Sequence, residues 1–290
     1  MRLEERALRA LTSREISDRL SLLKLGFRSH GHDPFGLSKR HLGAFYRFLE
    51  LLYRGYLEVE TRGREHIPEQ GRAMLVGNHT GGLPLDAGMI MASVFFEGER
   101  PRHAHGMVEK FAQNLPFLSS LFSRLGQLTG LPEHAKLILE AERLLLVFPE
   151  GARGTGKLSR EGYGLERFGT GFMRLALEHR SPIVPCAFVG AVEAIPVIYH
   201  SKILAKLLQV PYFPITSHLL PLPKRTPCQV EFGEPLHFEG DGSEPDEIIA
   251  GYIDEVREAI EALIERGQQR RKVRLTTMSA ASGAAEGGSR

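Results

Sequence analysis

The chain is short of cysteine, of net charge and of long apolar runs, and each shortage removes a class of protein. Its two cysteines, Cys186 and Cys228, show no close-spaced metal pattern, so neither a disulfide framework nor a structural zinc site is expected, and a reducing compartment fits. A formal net charge of +2 is too small to argue for a nucleic acid partner. The most apolar long stretch, IVPCAFVGAVEAIPVIYH, holds Glu193 and two prolines, which interrupts it too often for a membrane span of ~20 apolar residues. The start, MRLEERALRALTSREISDRL, carries acids in its first turns and no continuous apolar core, so an ordinary secretory signal and export are not expected. A protein of this pattern that meets a membrane lies on it.

What is present is the composition of a folded protein, with 42% hydrophobic and 25% charged residues, and disorder is expected only at the ends. Residues 39–57, KRHLGAFYRFLELLYRGYL, set Leu42, Phe45, Tyr46, Leu49, Leu52, Tyr53 and Tyr56 at helical spacing beside Lys39, Arg40, Arg47 and Arg54. That is the pattern of an interfacial amphipathic helix; an apolar stripe alone more often marks a helix packed on the core, and the aromatic residues mixed with arginines narrow that difference. From residue 73 onward short apolar runs alternate with helical patterns: AMLVG, a helix near 86–97, HAHGMV, helices near 116–125 and 134–142, LLLVFP, a helix near 169–179, and IVPCAFV. Such alternation predicts an α/β fold, a mixed, mostly parallel sheet flanked by helices, behind an N-terminal amphipathic helical region.

A last run, QVEFG at 229–233, is expected as an edge strand. A helix over 246–266 buries Ile249, Ile253, Val256, Ile260 and Leu263, starts near Asp246 and stops before Gly267. The remaining residues, basic and then rich in Gly, Ala and Ser, are expected to be disordered. The chain thus divides into a membrane-interface helical region 1–57, a central domain 58–266 and a tail 267–290.

Two loops leave the ends of apolar strands, where open α/β sheets place their ligands. In NHTGGLPLD, residues 78–86, Asn78 and His79 follow AMLVG, and Asp86 falls at the start of the next helix, where a carboxylate is favoured and can fold back onto the imidazole. In FPEGARGTGK, residues 148–157, Glu150 and Arg153 lie just beyond LLLVFP, towards the same mouth. A guanidinium there suits phosphate, because its planar fork donates paired hydrogen bonds.

These residues resemble the lysophospholipid, or glycerolipid, acyltransferases. The family's first motif, an Asn-His with a following Asp, is matched by Asn78, His79 and Asp86. Its third, Phe-Pro-Glu-Gly, a small residue and Arg, is matched by Phe148, Pro149, Glu150, Gly151, Ala152 and Arg153, and its fourth by Pro182, Ile183, Val184 and Pro185. The stretch YFPITSHLLPLP looks most like the branch containing monoacylglycerol and diacylglycerol acyltransferases. The resemblance implies an O-acyltransferase at the cytoplasmic face of a membrane, peripherally bound. Acyl-CoA or acyl carrier protein would be the thioester co-substrate and a membrane glycerolipid the acceptor, with no metal or other cofactor. It implies His79 and Asp86 as the catalytic pair and Asn78, Glu150, Gly151 and Arg153 as substrate-binding residues.

Two departures stand out. Six residues rather than the usual four separate His79 from Asp86, and the second motif's Gly-Arg is replaced by GQLTGL at 126–131, which biases the expectation towards a neutral acceptor. The contrasting reading is a lipid-surface binding protein that keeps the fold without turnover; the intact set of His79, Asp86, Glu150 and Arg153 favours the enzyme. Other signals fall away. Gly151 to Lys157 matches the Gly-rich part of a P-loop, but Leu158 stands where a magnesium-binding Ser or Thr is needed. No Gly-x-Ser-x-Gly turn supports a serine hydrolase. The clusters His30-Gly-His32-Asp33 and His103-Ala-His105 lack further ligands at fixed spacing, and His103 and His105 are expected on one face of a strand with hydrogen-bond partners.

Overall fold

The computed structural model describes residues 12–28, 31–81, 84–109, 118–218 and 222–287. Residues 1–11, His30, Gly82, Leu83, residues 116–117 and 219–221, which enter expectations above, lie outside that set.

Three apolar runs form the middle of the sheet: β2 (Ala73–Gly77), β5 (Leu144–Val147) and β6 (Ile183–Val189). Around them lie β1 (Glu60–Arg62), β3 (Ala104–Val108), β4 (Leu128–Thr129) and β9 (Gln229–Phe232), in the order β1-β9-β6-β2-β5-β3-β4. Neighbours are parallel except β6 and β9, so the sheet is mixed and mostly parallel, as expected. Both faces are covered, which explains why the central strands read as unbroken apolar runs rather than alternating ones. Leu75, Leu144, Leu146, Val184 and Phe188 face one core with helices α1 (Arg14–Leu22), α2 (Lys39–Glu50) and α3 (Leu85–Phe96). Met74, Val76, Leu145, Ile183 and Val189 face the other, with α5 (Pro132–Glu140), α7 (Gly171–Glu178) and the long C-terminal helix. Between β3 and β4 lies α4 (Leu118–Arg124). After Glu150 comes the short α6 (Ala152–Thr155), and after β6 the short α8 (Ala191–Ala194).

Three expectations change. QVEFG is not an edge strand: β1 pairs outside it, Thr61 opposite Val230, and three residues are too few to leave a readable alternation. The stripe at 39–57 is largely core, since Leu42, Tyr46, Leu49 and Tyr53 are buried and the Tyr46 ring stacks on Phe95 at 3.6 Å between centroids. Residues Leu51–Tyr56 wind as a π-helix, with Leu57 N–H donating to the Leu52 carbonyl at 2.8 Å. This wider turn keeps both Tyr53 and Leu57 pointing inward.

The third change is at the C-terminus. The last helix, α10 (Asp246–Gly287), runs straight through Gly267. A Cβ at Gly267 would stand 2.9 Å from Val189, so this glycine permits close passage over β6 instead of ending the helix. The basic run beyond it is ordered by carboxylates: Arg270 pairs with Glu231 at 2.8 Å, Arg271 with Glu193 at 2.8 Å and Arg274 with Glu58 at 3.2 Å. These partners come from β9, α8 and the approach to β1, distances in sequence that no local composition reveals.

A small excursion leaves the main sheet after α8. Strand β7 (Val197–His200) pairs antiparallel with β8 (Pro214–Thr216), and α9 (Lys202–Leu208) lies between them, capped by Ser201, whose hydroxyl accepts from Leu204 N–H.

Candidate active site

Strands β2 and β5 are adjacent, parallel and in register, with Val76 opposite Val147. The loops that leave their carboxyl ends therefore meet at one edge of the sheet. His79 comes from the first and Phe148 from the second, and their rings stack with centroids 4.2 Å apart and planes 11° from parallel.

Asp86 opens α3 and is fully buried. Its Oδ2 lies 2.8 Å from His79 Nδ1 and accepts from Thr80 N–H at 2.9 Å, and its Oδ1 accepts from Ala87 N–H at 2.7 Å. The longer six-residue spacing thus still closes the contact. Three contacts thus answer both oxygens of this buried side chain. A carboxylate accepts only, so Nδ1 carries the proton and Nε2 holds its lone pair away from Asp86. The imidazole stays partly open, its side chain 15% exposed.

The remaining expected residues divide. Asn78 is buried, its Nδ2 donating to the Phe188 carbonyl at 3.2 Å and its Oδ1 accepting from Phe188 N–H at 2.9 Å. It clamps the end of β2 to β6. Glu150 is also turned inward: Oε1 accepts from His79 N–H at 2.9 Å, and Oε2 accepts from Lys157 Nζ and Glu166 N–H, each at 2.8 Å. Asn78 and Glu150, expected at the substrate, are both held by protein partners here. Glu150 fixes the His79 backbone directly, and Asn78 anchors the strand end that precedes it.

Gly151 adopts φ 58°, the left-handed turn that starts α6, where a side chain would be strained. Arg153 is exposed, and its Nη2 donates to the Arg167 carbonyl at 2.9 Å, so it stands at the rim and outside the hydrogen-bonded cluster of His79. Lys157, weighed as a P-loop lysine, is buried, donating to Glu150 and to the Gly164 carbonyl at 2.7 Å. Two of its three donors are thus taken inside the protein.

Two contacts have no signal in the sequence motifs. A Cβ at Gly154 would lie 2.7 Å from the His79 carbonyl and 2.9 Å from its Cβ, so α6 rests directly on the histidine's backbone. Glu109, just after β3, accepts from Ala152 N–H at 3.1 Å. Only the rule that loops at one sheet edge converge points to such pairs. Among the described residues no group of three or more His, Cys, Asp or Glu could hold a metal ion, and no helix is long and apolar enough to cross a membrane.

The acyltransferase family model matches residues 58–189. An uncharacterized protein of Mycobacterium leprae is 33% identical over 81% of this chain and 67% of its own length. A Bos taurus protein called DGAT1/2-independent enzyme synthesizing storage lipids is 24% identical over 88% of this chain and 71% of its own. The crystal structure of a 1-acyl-sn-glycerophosphate (LPA) acyltransferase from Thermotoga maritima superposes with a TM-score of 0.52 over 79% of this chain and 82% of that one. At 16% identity that likeness speaks for the fold alone. With the family model spanning both loops around His79 and a relative aligned over most of the chain, the protein belongs to the acyltransferase family and is an O-acyltransferase.

Proposed function

We propose that the enzyme transfers a fatty acyl group from a thioester, acyl-CoA or acyl-loaded carrier protein, to a hydroxyl of a membrane glycerolipid. The observation that carries this reading is the 2.8 Å contact of His79 Nδ1 with the buried Asp86. An alcohol is a weak nucleophile until a positioned base takes its proton. In this reading His79 Nε2 removes that proton while the alcohol oxygen attacks the thioester carbonyl carbon. The tetrahedral adduct collapses, the C–S bond breaks, and the proton passes to the leaving thiolate. Asp86 holds the ring's orientation and stabilises the imidazolium that forms in between. The thioester is already activated, so direct transfer asks for no metal, no further cofactor and no acyl-enzyme.

The lipid acceptor is supported by the relative named for storage-lipid synthesis. Within that class a neutral acceptor, monoacylglycerol or diacylglycerol, is favoured over lysophosphatidate. A phosphate near two negative charges needs more than one cation to offset its lost hydration. Lys157 is consumed by Glu150, and the second motif offers Gln127, whose amide is bound to Gly106 N–H and the Leu125 carbonyl. Among the motif residues Arg153 is the cation that remains, with Arg160 exposed nearby in sequence. The membrane is met peripherally, on its cytoplasmic face.

The test measures thiol release from an acyl-CoA while monoacylglycerol, diacylglycerol and lysophosphatidate compete in one mixture. The expected result is His79-dependent release with the neutral lipids acylated first. A strong preference for lysophosphatidate that Arg153→Ala abolishes would show that this loop suffices for phosphate and overturn the neutral-acceptor assignment.

A further inference from the structure

The helix that the amphipathic pattern marked as a lipid contact is mostly core, and the exposed apolar surface lies elsewhere. On α9, Ile203 is 82% exposed and Leu207 74%. They stand four residues apart and so form one rail along the helix. Lys202 and Lys206, also four apart and exposed, form the adjacent rail, and among the described residues neither meets a carboxylate. Leu208 on the same helix, Ile198 and Tyr199 on β7, and Leu222 beyond β8 are exposed as well. Lys224, whose Nζ donates to the Ser217 hydroxyl at 3.3 Å, adds a third cation. Isolated exposed apolar residues are ordinary, but this many on one small excursion make a patch that water alone does not explain.

We infer that the β7-α9-β8 arm is the element that docks the enzyme on an anionic lipid bilayer, with Ile203 and Leu207 entering the acyl boundary and Lys202 and Lys206 meeting the head groups. The inference rests on the proposed lipid acceptor and names the surface that reaches it. Charge selects the occupant. Apolar side chains flanked by unpaired lysines match the two layers of a bilayer interface, hydrocarbon beneath anionic phosphate. A second copy of the chain would bring the same lysines face to face.

The arm is also tied to the site. His200 at the end of β7 contacts the Gly156 carbonyl through Nε2 at 2.8 Å, and the Tyr212 hydroxyl bonds the Thr155 hydroxyl. Both partners belong to the turn of α6 that rests on His79. A bilayer held by α9 is therefore one short helix from the general base.

The experiment is co-sedimentation of the full chain with vesicles of phosphatidylcholine alone or with about one third phosphatidylglycerol. Variants are Ile203→Asp/Leu207→Asp, Lys202→Glu/Lys206→Glu and, as an exposed apolar pair within the 39–57 stripe, Phe48→Asp/Leu51→Asp. Removing two leucine-sized anchors is expected to weaken binding at least about tenfold. Reversing the lysines removes the preference for the anionic vesicles, and the 48/51 variant sediments like wild type. Thiol release with a dispersed short-chain monoacylglycerol should persist in the arm variants, because none touches the reacting groups.

If the arm variants sediment like wild type, or only the 48/51 variant loses binding, the inference is wrong. It is equally wrong if vesicles are ignored and the arm variants lose acyl carrier protein instead. If arm-dependent sedimentation is seen but no lipid yields thiol release, the docking surface stands and the proposed reaction fails.

Discussion

Two histidine networks in this molecule look alike on paper and behave oppositely. At the sheet edge, His79 meets one buried carboxylate and its side chain stays partly exposed. In the core, His103 and His105 stand edge to face, 4.8 Å between ring centroids. Tyr46 bonds His103 Nδ1 and the Gly126 carbonyl bonds His105 Nδ1, each at 2.8 Å. Arg143 lies 3.5 Å from His105 Nε2, and its charge is answered by Asp33 at 2.5 Å. Burial, with Arg143 nearby, pushes His103 down to about 3, and burial drives His105 well below its ordinary value. This perturbed pair is buried in the core, away from solvent. Displacement of titration alone therefore does not mark a catalytic site.

The sharpest break between the two networks is replacement of the rings. His79→Ala should lower turnover by about a thousandfold, or ~4 kcal/mol in the barrier, with the melting temperature little changed. Asp86→Asn should lose less, about a hundredfold, because the base survives without its orienting carboxylate. Fully active His79→Ala enzyme in the thiol-release assay sinks the assignment.

Next in size is Glu150→Gln, which leaves the Lys157 ammonium buried without its counter-ion. The expected loss is about 3 kcal/mol of unfolding free energy by denaturant titration, together with reduced turnover as the His79 backbone loosens. Glu150→Gln with Lys157→Met should regain much of the stability but not the full rate. Recovery of both would assign the pair to stability alone.

Smaller and of another kind is the effect of acid. His103 binds its proton near the usual 6.5 once unfolded but only at about 3 in the native core. As pH falls below about 6.5 the unfolded chain gains protons that the folded one refuses, so stability present above that value drains away towards pH 3. The slope is about 1.4 kcal/mol per pH unit for each such group once well below its unfolded value. His103→Asn should flatten the curve measured by urea titration between pH 6.5 and 4.5; an unchanged slope rejects the account. Smallest of all, Arg153→Ala should alter stability by no more than about 0.5 kcal/mol, since it removes one exposed contact to the Arg167 carbonyl. It should leave monoacylglycerol acylation within about threefold of wild type, and a larger fall would move Arg153 into the site.

Much of this was legible because the central strands are buried on both faces. AMLVG and IVPCAFV coincide with β2 and β6, and LLLV with β5, since unbroken aliphatic runs bounded by Gly, Pro or Asn admit few other structures. His79, Asp86 and Glu150 were found because their motifs sit directly at those strand ends. Their tasks were less legible: Asn78 and Glu150 looked like substrate contacts, yet their partners are Phe188, Lys157 and Glu166, set by topology and not by spacing. The stripe at 39–57 fits both membrane and core by periodicity, and only the presence of Phe95 and Phe96 on α3 decides. The course of α10 past Gly267 depended on Glu231, Glu193 and Glu58, each far away in the chain.

The pairing of β1 with β9 sets a timetable. Glu60 lies opposite Gln229, so the first strand of the sheet waits, during synthesis, for one of the last. Until β9 emerges, the long edge of β6 has no neighbour on that side, and Val189, later roofed by α10 at Gly267, stays bare. Contacts of such sequence separation form slowly because a large loop must close first. A nascent chain paused before residue 229 would carry an open apolar strand edge, the species most prone to join another copy, and the arginines of α10 are the last fasteners to close it.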